Sequence, residues 1–373
     1  MVGLALIPSK ETMIRTFKLT WMIHLALLAL TARAQVPAQN KSLQDNAIRF
    51  HEARVATKPD DTGALRMLAG AYVARAELTG EAVDYDRAWE VLDRAEKLEP
   101  GVVSTIAAKA SLLLSRHRFA QARALAEEGL KRYSEDGGLL GVAGGAALET
   151  GDLDGAETYY NKLHALSPRL ISWARLAHVA ELRGNLEGAA NMLEKAIGAG
   201  EKKAAPPESI AWCLAVAGEV ELKRGNLQTA REHYRVGLER SPEHLLVLEH
   251  LAELETKEKN LDAAEQVYQR ILVQRPDPRM RLRVADLLDL RGKHDEAKHI
   301  REQVRDVYRH LVEAGNEGYL RPLAELELAA GDYQRAATLA ARDVALRPTQ
   351  ESQQVLRKVL AAAAAAGKPV ISF

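Results

Sequence analysis

His294, His299 and His310 are the densest histidines in the sequence. Their spacings of 5 and 11 residues are not the i, i+4 geometry that places two ligands side by side on one helical face. They read as solvated surface histidines. Cys213 is the single cysteine, so an internal disulfide, a CxxC redox pair, a zinc knuckle and a haem-attachment motif are all excluded. It lies among Ala211, Trp212, Leu214 and Ala215 and reads as a small buried apolar side chain. Gly137, Gly138, Gly141, Gly144 and Gly145 do not form a phosphate-binding GxGxxG turn after a strand. They fall on a predicted helix, where small residues let a neighbour approach closely. No HExxH, GxSxG or GxxxxGK[ST] motif is present. Acidic pairs are frequent, but on a charged helix they form a solvated face. These residues predict no catalytic group, no cofactor, no metal and no small-molecule substrate.

Composition narrows the class of element that carries them. The 373 residues are 47% hydrophobic but only 5% aromatic, a balance that suits close-packed helices better than sheets. Lys plus Arg equals Asp plus Glu at 51 each, so whole-molecule charge gives no attraction to nucleic acid or to an anionic membrane. No basic stripe runs along the chain, which speaks against a nucleic-acid partner.

The N-terminus reads as a targeting segment. Lys10, Arg15 and Lys18 precede a mostly apolar run from Leu19 to Leu30, and Ala32-Arg33-Ala34 has the small-x-small form of a signal-peptidase site. Residues 1–34 are therefore expected to be a signal peptide, with Met1 or Met13 as its start. The protein is expected to be exported, either periplasmic or secreted. The alternative is an uncleaved N-terminal anchor, the one case in which membrane contact is expected. No cysteine follows the apolar run, which excludes a lipid anchor there. Residues 35–42 read as a flexible linker and 367–373 as a tail.

A ladder of alanines runs through the rest: Ala88, Ala122, Ala156, Ala189, Ala230, Ala264, Ala297 and Ala336. Twelve residues beyond several of them stand Pro100, Pro168, Pro242, Pro276 and Pro348, and four beyond stand Leu92, Tyr160, Leu193, Tyr234 and Tyr268. Five residues upstream stand Gly151, Gly184, Gly225, Gly292 and Gly331. This pattern predicts repeated antiparallel helix pairs. Glycine ends the first helix in a left-handed conformation, Asp or Asn caps the second, alanine lets the two approach, and proline stops the second.

In sequence order, Trp173-Leu176-Ala177-Ala180-Gly184-Ala189-Leu193-Ala196 and Leu248-Leu251-Ala252-Ala264-Tyr268-Pro276 follow one pattern. It resembles the tetratricopeptide repeat family. The resemblance covers about residues 45–350. It departs at the unit near 103–134, which lacks large residues at Ala126 and Ser134, and where alanine often replaces the first-helix glycine. The fold it implies is all-α: a right-handed α-solenoid of antiparallel helix pairs. Residues 43–366 would form an array of about eight units with N- and C-terminal capping helices. Insertions fall at 76–84, at 198–209, a Gly/Pro/Lys-rich hinge candidate, and at 301–316, where one helix should lengthen until Gly315.

In such arrays the first helices line a concave groove. The positions that the resemblance places there form two zones. The N-terminal zone is small and weakly polar (Gly63, Gly70, Ser104, Ala107, Ser111, Gly138, Gly141, Gly145), with Leu114 and Leu148 and with Arg66 its one basic residue. Some family members clamp a partner's C-terminal carboxylate with basic and amide groups here, and this chain lacks them. The second zone holds His178 and a row of acids, Glu181, Glu219, Glu249, Glu253, Asp286, Asp289 and Glu325. The resemblance implies a non-catalytic protein–protein interaction scaffold or adaptor in the cell envelope. The acids would then attract a basic polypeptide segment. Set against this is an ordinary solvated face balanced by Lys223, Lys257, Arg279 and Arg321. The alternative function is an accessory structural subunit, a spacer in an envelope enzyme or polysaccharide-secretion complex.

Overall fold

A computed structural model of the chain describes residues 38–79, 81–275, 277–368 and 370. The expected signal peptide lies outside the described residues. Among the described residues the fold is all-α, with eighteen α-helices and one short 3-10 turn. No described helix is long and apolar enough to cross a membrane.

The first helix, α1 (Ala38–Thr57), stands alone. Eight antiparallel pairs follow. They are α2 (Thr62–Thr79) with α3 (Val83–Leu98), α4 (Val103–Ser115) with α5 (Phe119–Arg132), α6 (Gly137–Glu149) with α7 (Leu153–Leu166), and α8 (Leu170–Leu182) with α9 (Leu186–Lys202). Next come α10 (Pro207–Arg224) with α11 (Leu227–Arg240), α12 (Leu245–Lys257) with α13 (Leu261–Gln274), α14 (Pro278–Leu290) with α15 (His294–Glu313), and α16 (Leu320–Ala329) with α17 (Tyr333–Leu346). The last helix, α18 (Gln350–Ala365), packs on α17.

All eight ladder alanines are fully buried. The bulky residues one turn later fill the seam they open, with Tyr160, Tyr234 and Tyr268 all buried. At Gly144 and Gly218 nothing larger fits. A Cβ there would lie 2.3 Å from the Tyr160 ring or 2.2 Å from the Tyr234 ring. The glycines of α6 thus serve packing. At the first-helix ends, Gly151, Gly184, Gly225 and Gly331 take positive φ, which costs glycine nothing. Asp152, Asn185 and Asp332 then cap the next helix by accepting a backbone N–H. Asn226 departs from this and donates its amide to Glu221 (2.6 Å).

First helices of successive pairs touch, as α4 with α6, α10 with α12 and α16 with α18. Second helices have no comparable contact. The array therefore bends toward its first helices, which form the inner face.

The boundaries differ from expectation in three places. Helix α1 begins at Ala38, inside the stretch 35–42 read as linker, because Pro37 is the last helix breaker before a helix-compatible run. The 76–84 insertion is partly helical, since α2 runs to Thr79 and α3 starts at Val83. The 198–209 stretch is a packed corner rather than a loose hinge. Helix α9 continues to Lys202, and α10 starts at once behind Pro206, with Pro207 in its first turn. Gly200 is buried so tightly that a Cβ would meet Leu170 Cδ1 at 2.8 Å, and one core spans Leu170, Leu193, Ile210 and Leu214. In that core the Cys213 thiol is pushed up to about 12 by burial, as an unreactive structural residue requires.

Candidate functional site: a ladder of alternating charges

Helices α8, α10, α12 and α14 carry a polar row across the inner face. Lys223, His250 and Arg283 each reach back to the preceding unit because successive first helices pack side by side. His178 Nδ1 stands 3.2 Å from Glu181 on α8. Lys223 on α10 donates to Glu181 (2.5 Å) and to Glu219 (2.7 Å), bridging two units. His250 on α12 lies 3.5 Å from Glu219 and 3.2 Å from Glu253. Arg283 on α14 continues to Glu253 (3.2 Å) and approaches Asp286 (4.0 Å). Arg301, on α15, holds Asp286 and Asp289 at 2.6 Å each, and His294 meets Asp289 at 2.9 Å.

Six of the eight expected groove residues thus form one chain of contacts: His178, Glu181, Glu219, Glu253, Asp286 and Asp289. The acids are not bare, since a cation or imidazole stands between each neighbouring pair. Glu249 and Glu325 stay outside the chain of contacts and, among the described residues, have no hydrogen-bond or ion-pair partner. Of the cations weighed as balancing charges, only Lys223 joins the row. Lys257 donates to the Leu222 carbonyl (3.3 Å), Arg279 binds Asp277 (2.9 Å), and Arg321 binds Glu351 (2.7 Å). His250, Arg283 and Arg301 were missed. The available signal was local: His250–Glu253 and Arg283–Asp286 are i, i+3 pairs on one helical face. His294, read as a solvated histidine, closes the row.

Electrostatics follow from this alternation. Burial pushes the Glu181 carboxyl up, but His178 and Lys223 together outweigh it and hold it at about 2. Burial pushes Lys223 down, and Glu181 with Glu219 reverses that. Burial likewise opposes the charged forms of His250 and Glu253. Their hydrogen bond, with Glu219 on one side and Arg283 on the other, raises the imidazole and lowers the carboxyl. Glu249 differs: burial raises it, and Arg279 only partly offsets this. The sign for His250 is that of a raised folded-state value. Its stabilising contribution is complete below about 6.5 and is lost as pH rises through the raised value. An imidazole NMR titration should place the His250 midpoint above 6.5 and return it toward that value in Glu253→Gln. A midpoint below 6.5 in the intact protein would contradict the ladder.

The N-terminal zone has a different character. Arg66 donates to Thr105 (3.2 Å), and Arg175 reaches from α8 to the Gly141 carbonyl (2.8 Å) while lying over the Tyr160 ring. Ser104, Ser111, Gly70 and Gly138 are exposed. Among the described residues no group of three or more His, Cys, Asp or Glu is placed to hold a metal ion.

Comparison with known proteins gives the following. Residues 107–171 and 221–287 match the models of two families, both described as tetratricopeptide repeat. Curated protein sequences give no match. Among solved structures the chain is similar to a chain of the APC/C hetero-tetramer Cut9–Hcn1, at 13% identity and a TM-score of 0.51, covering 88% of this chain and 60% of that one. It is similar to human IFIT1 in a dimer with m7Gppp-AAAA, at 15% identity and a TM-score of 0.51, over 81% of this chain and 72% of that one. A tetratricopeptide repeat protein from Parabacteroides merdae aligns at 17% identity and a TM-score of 0.45, over 69% and 98%. At these identities the likeness concerns the fold. The chain spans less than two thirds of the Cut9–Hcn1 chain it matches.

Proposed function

We propose that this chain, which belongs to the tetratricopeptide-repeat family, is a non-catalytic scaffold that holds polypeptide segments along its inner face. The family's fold is one that binds protein partners. The charge ladder is the observation that carries the reading. It runs in contact from α8 to α15, on the side toward which the array bends. A buried hydrophobic site would need an apolar lining, and a nucleic-acid site would need uncompensated cations. The ladder has neither. It offers donors and acceptors in alternation, which suits an extended segment bearing polar and basic side chains. Basic residues of the segment would meet Glu249 and Glu325, the two acids without partners, and exchange with Lys223 or Arg283 along the row. Because the row is balanced, its long-range field is weak, and steering of a basic partner is correspondingly modest.

The leader motif supports an exported location, periplasmic or secreted, where the partners would be envelope or secreted proteins. Cell fractionation with an antibody to the chain tests this directly. IFIT1 is described with m7Gppp-AAAA, but that likeness covers the fold alone, and the balanced charges of the present ladder do not favour a phosphate backbone. A second reading has its own support. Leu43 and Phe50, seven residues apart on α1, are 59% and 65% exposed at the N-terminal end of the stack. They would suit a spacer that docks by its end.

The experiment is purification of the chain from its native envelope at low salt, with identification of the co-eluting polypeptide. On the groove reading, Glu219→Lys with Glu253→Lys abolishes co-elution while Phe50→Ser leaves it intact. The converse pattern would establish the spacer. A nuclease-sensitive partner would overturn both.

A further inference from the structure

The array curls far enough for its last unit to return to its first ones. Glu317, in the 3-10 turn Glu317–Tyr319 before α16, lies 3.6 Å from Arg118 of the α4–α5 turn, 199 residues earlier, and 3.6 Å from Arg342 of its own unit. Gly318 abuts His117 so closely that a Cβ would stand 2.7 Å from the imidazole Nε2. One unit further along, the Pro348 carbonyl is 3.5 Å from where a Gly151 Cβ would be. Burial and Glu77, and then Tyr319 from across the same seam, push the Tyr85 phenol up. His117 itself is held at φ 57°, a left-handed conformation that non-glycine residues seldom take, with its ring edge-on to Phe119.

We infer that this seam is a latch: the eighth unit, through Glu317, Gly318 and Arg347, closes the array onto the turns of the second and third, and opening it exposes the inner face from the side. The seam is stiff in register but weak in chemistry. Among the described residues its one cross-array ion pair is long, and Oδ2 of Asp343, which is buried, has no hydrogen-bond donor. A contact of this kind separates more readily than the helix pairs on either side.

Acid should weaken it. Facing His117 are Arg347 and Asp343 of the eighth unit, with Arg118, Glu317 and Arg342 around them. Glu149 of α6 faces Arg347, Arg321, His178 and Asp343. Burial, then Arg347, push His117 down to about 4, with Asp343 opposing. Once the seam opens, His117 recovers a value near 6.5. The latch is therefore at full strength above 6.5 and weakens as pH falls from there toward 4. Glu149 works the other way, since burial raises it in the closed form and its protonation favours closure. Opening is thus steepest between 6.5 and the pH at which Glu149 begins to take up its proton. That opening loads a partner rests on the groove reading. The latch itself does not, and it is tested without a partner.

The test is the distance between spin labels at Gln121 and Ala345, both exposed, in the full chain with Cys213→Ala. At pH 7.5 one short, narrow distance is expected. Gly318→Leu, which fills the space of the His117 ring, and Glu317→Arg, which sets three arginines together, should each lengthen it by at least a helix diameter, about 10 Å. Lowering the pH to 5.5 should move the unmodified chain toward the same long distance, and His117→Asn, which tolerates the left-handed backbone without titrating, should abolish that shift. If both seam variants keep their helical signal and the short distance, the latch does not exist. If the pH shift persists in His117→Asn, that histidine is not its trigger.

Discussion

Replacing Tyr234 by alanine is expected to destabilise the array by about 3–5 kcal/mol, the usual cost of emptying a large aromatic site in a close-packed core. Tyr234 is fully buried between Ala215, Ala230, Val247 and Leu254, and its ring fills the space left by Gly218. Little can collapse into that gap, because the helices on either side are already held at alanine distance. The phenol oxygen sets up a contrast. Tyr234 Oη is buried and has no hydrogen-bond partner among the described residues. Tyr234→Phe should therefore be neutral or stabilising, since it removes an unpaired polar group and keeps the ring. Urea denaturation followed by circular dichroism separates the two variants. In a linear array each unit is stabilised mainly by its neighbours, so the alanine variant should lose a distinct early transition around units five and six rather than shift the whole curve.

Arg75→Ala is expected to cost a similar amount, about 3–5 kcal/mol, for an electrostatic reason. Asp84 is fully buried, and Arg75 holds it through Nε (2.6 Å) and Nη2 (2.7 Å), with Arg87 adding 3.0 Å. Burial pushes the Asp84 carboxyl up, and Arg75 then pulls it below its ordinary value. Without Arg75 the carboxylate keeps the burial cost and only the half-exposed Arg87 to offset it. Two further results follow. In the intact protein, the Asp84 contribution is complete above about 3.8 and is lost as pH falls through its lowered value. In Arg75→Ala the penalty should shrink in acid, because protonation relieves the unpaired charge. The double variant Arg75→Met with Asp84→Leu should recover most of the loss. Failure to recover would mean that the pair serves something beyond mutual neutralisation.

The alanine ladder was legible because close approach of two helices admits only one residue type, at one offset, in every unit. The turns were legible for the same reason at Gly151, Gly184, Gly225 and Gly331, where a left-handed residue must follow the first helix. Gly200 shows where such punctuation misleads. A glycine among Ala, Lys and Pro reads as a loop, yet here it marks a close contact with Leu170 that only the packed units reveal. The start of α1 was misplaced because nothing between Ala38 and Leu43 favours coil over helix once a core lies beside Ile48 and Val55.

The groove divides in the same way. Positions facing inward follow from the repeat, so Glu181, Glu219, Glu253, Asp286 and Asp289 could be named from their offsets. Which cation lies between them could not. Lys223 and Arg283 sit at offsets different from the acids and reach across from adjacent units, and Arg301 comes from a second helix. The meeting of Glu317 with Arg118 depends on the accumulated curvature of six units, a quantity with no local signature.

The central claim is that the inner face, rather than the outer face or an end, holds the partner. A photoreactive residue at Glu325 tests this most directly, because Glu325 is exposed and, among the described residues, has no partner whose loss would disturb the ladder. Control positions are Gln228 on second helix α11 and Phe50 on α1. Irradiation of intact cells should give one defined polypeptide adduct at Glu325, absent at Gln228 and Phe50 and lost when Glu219→Lys and Glu253→Lys are added. An adduct at Phe50 or Gln228 with none at Glu325 would contradict the account.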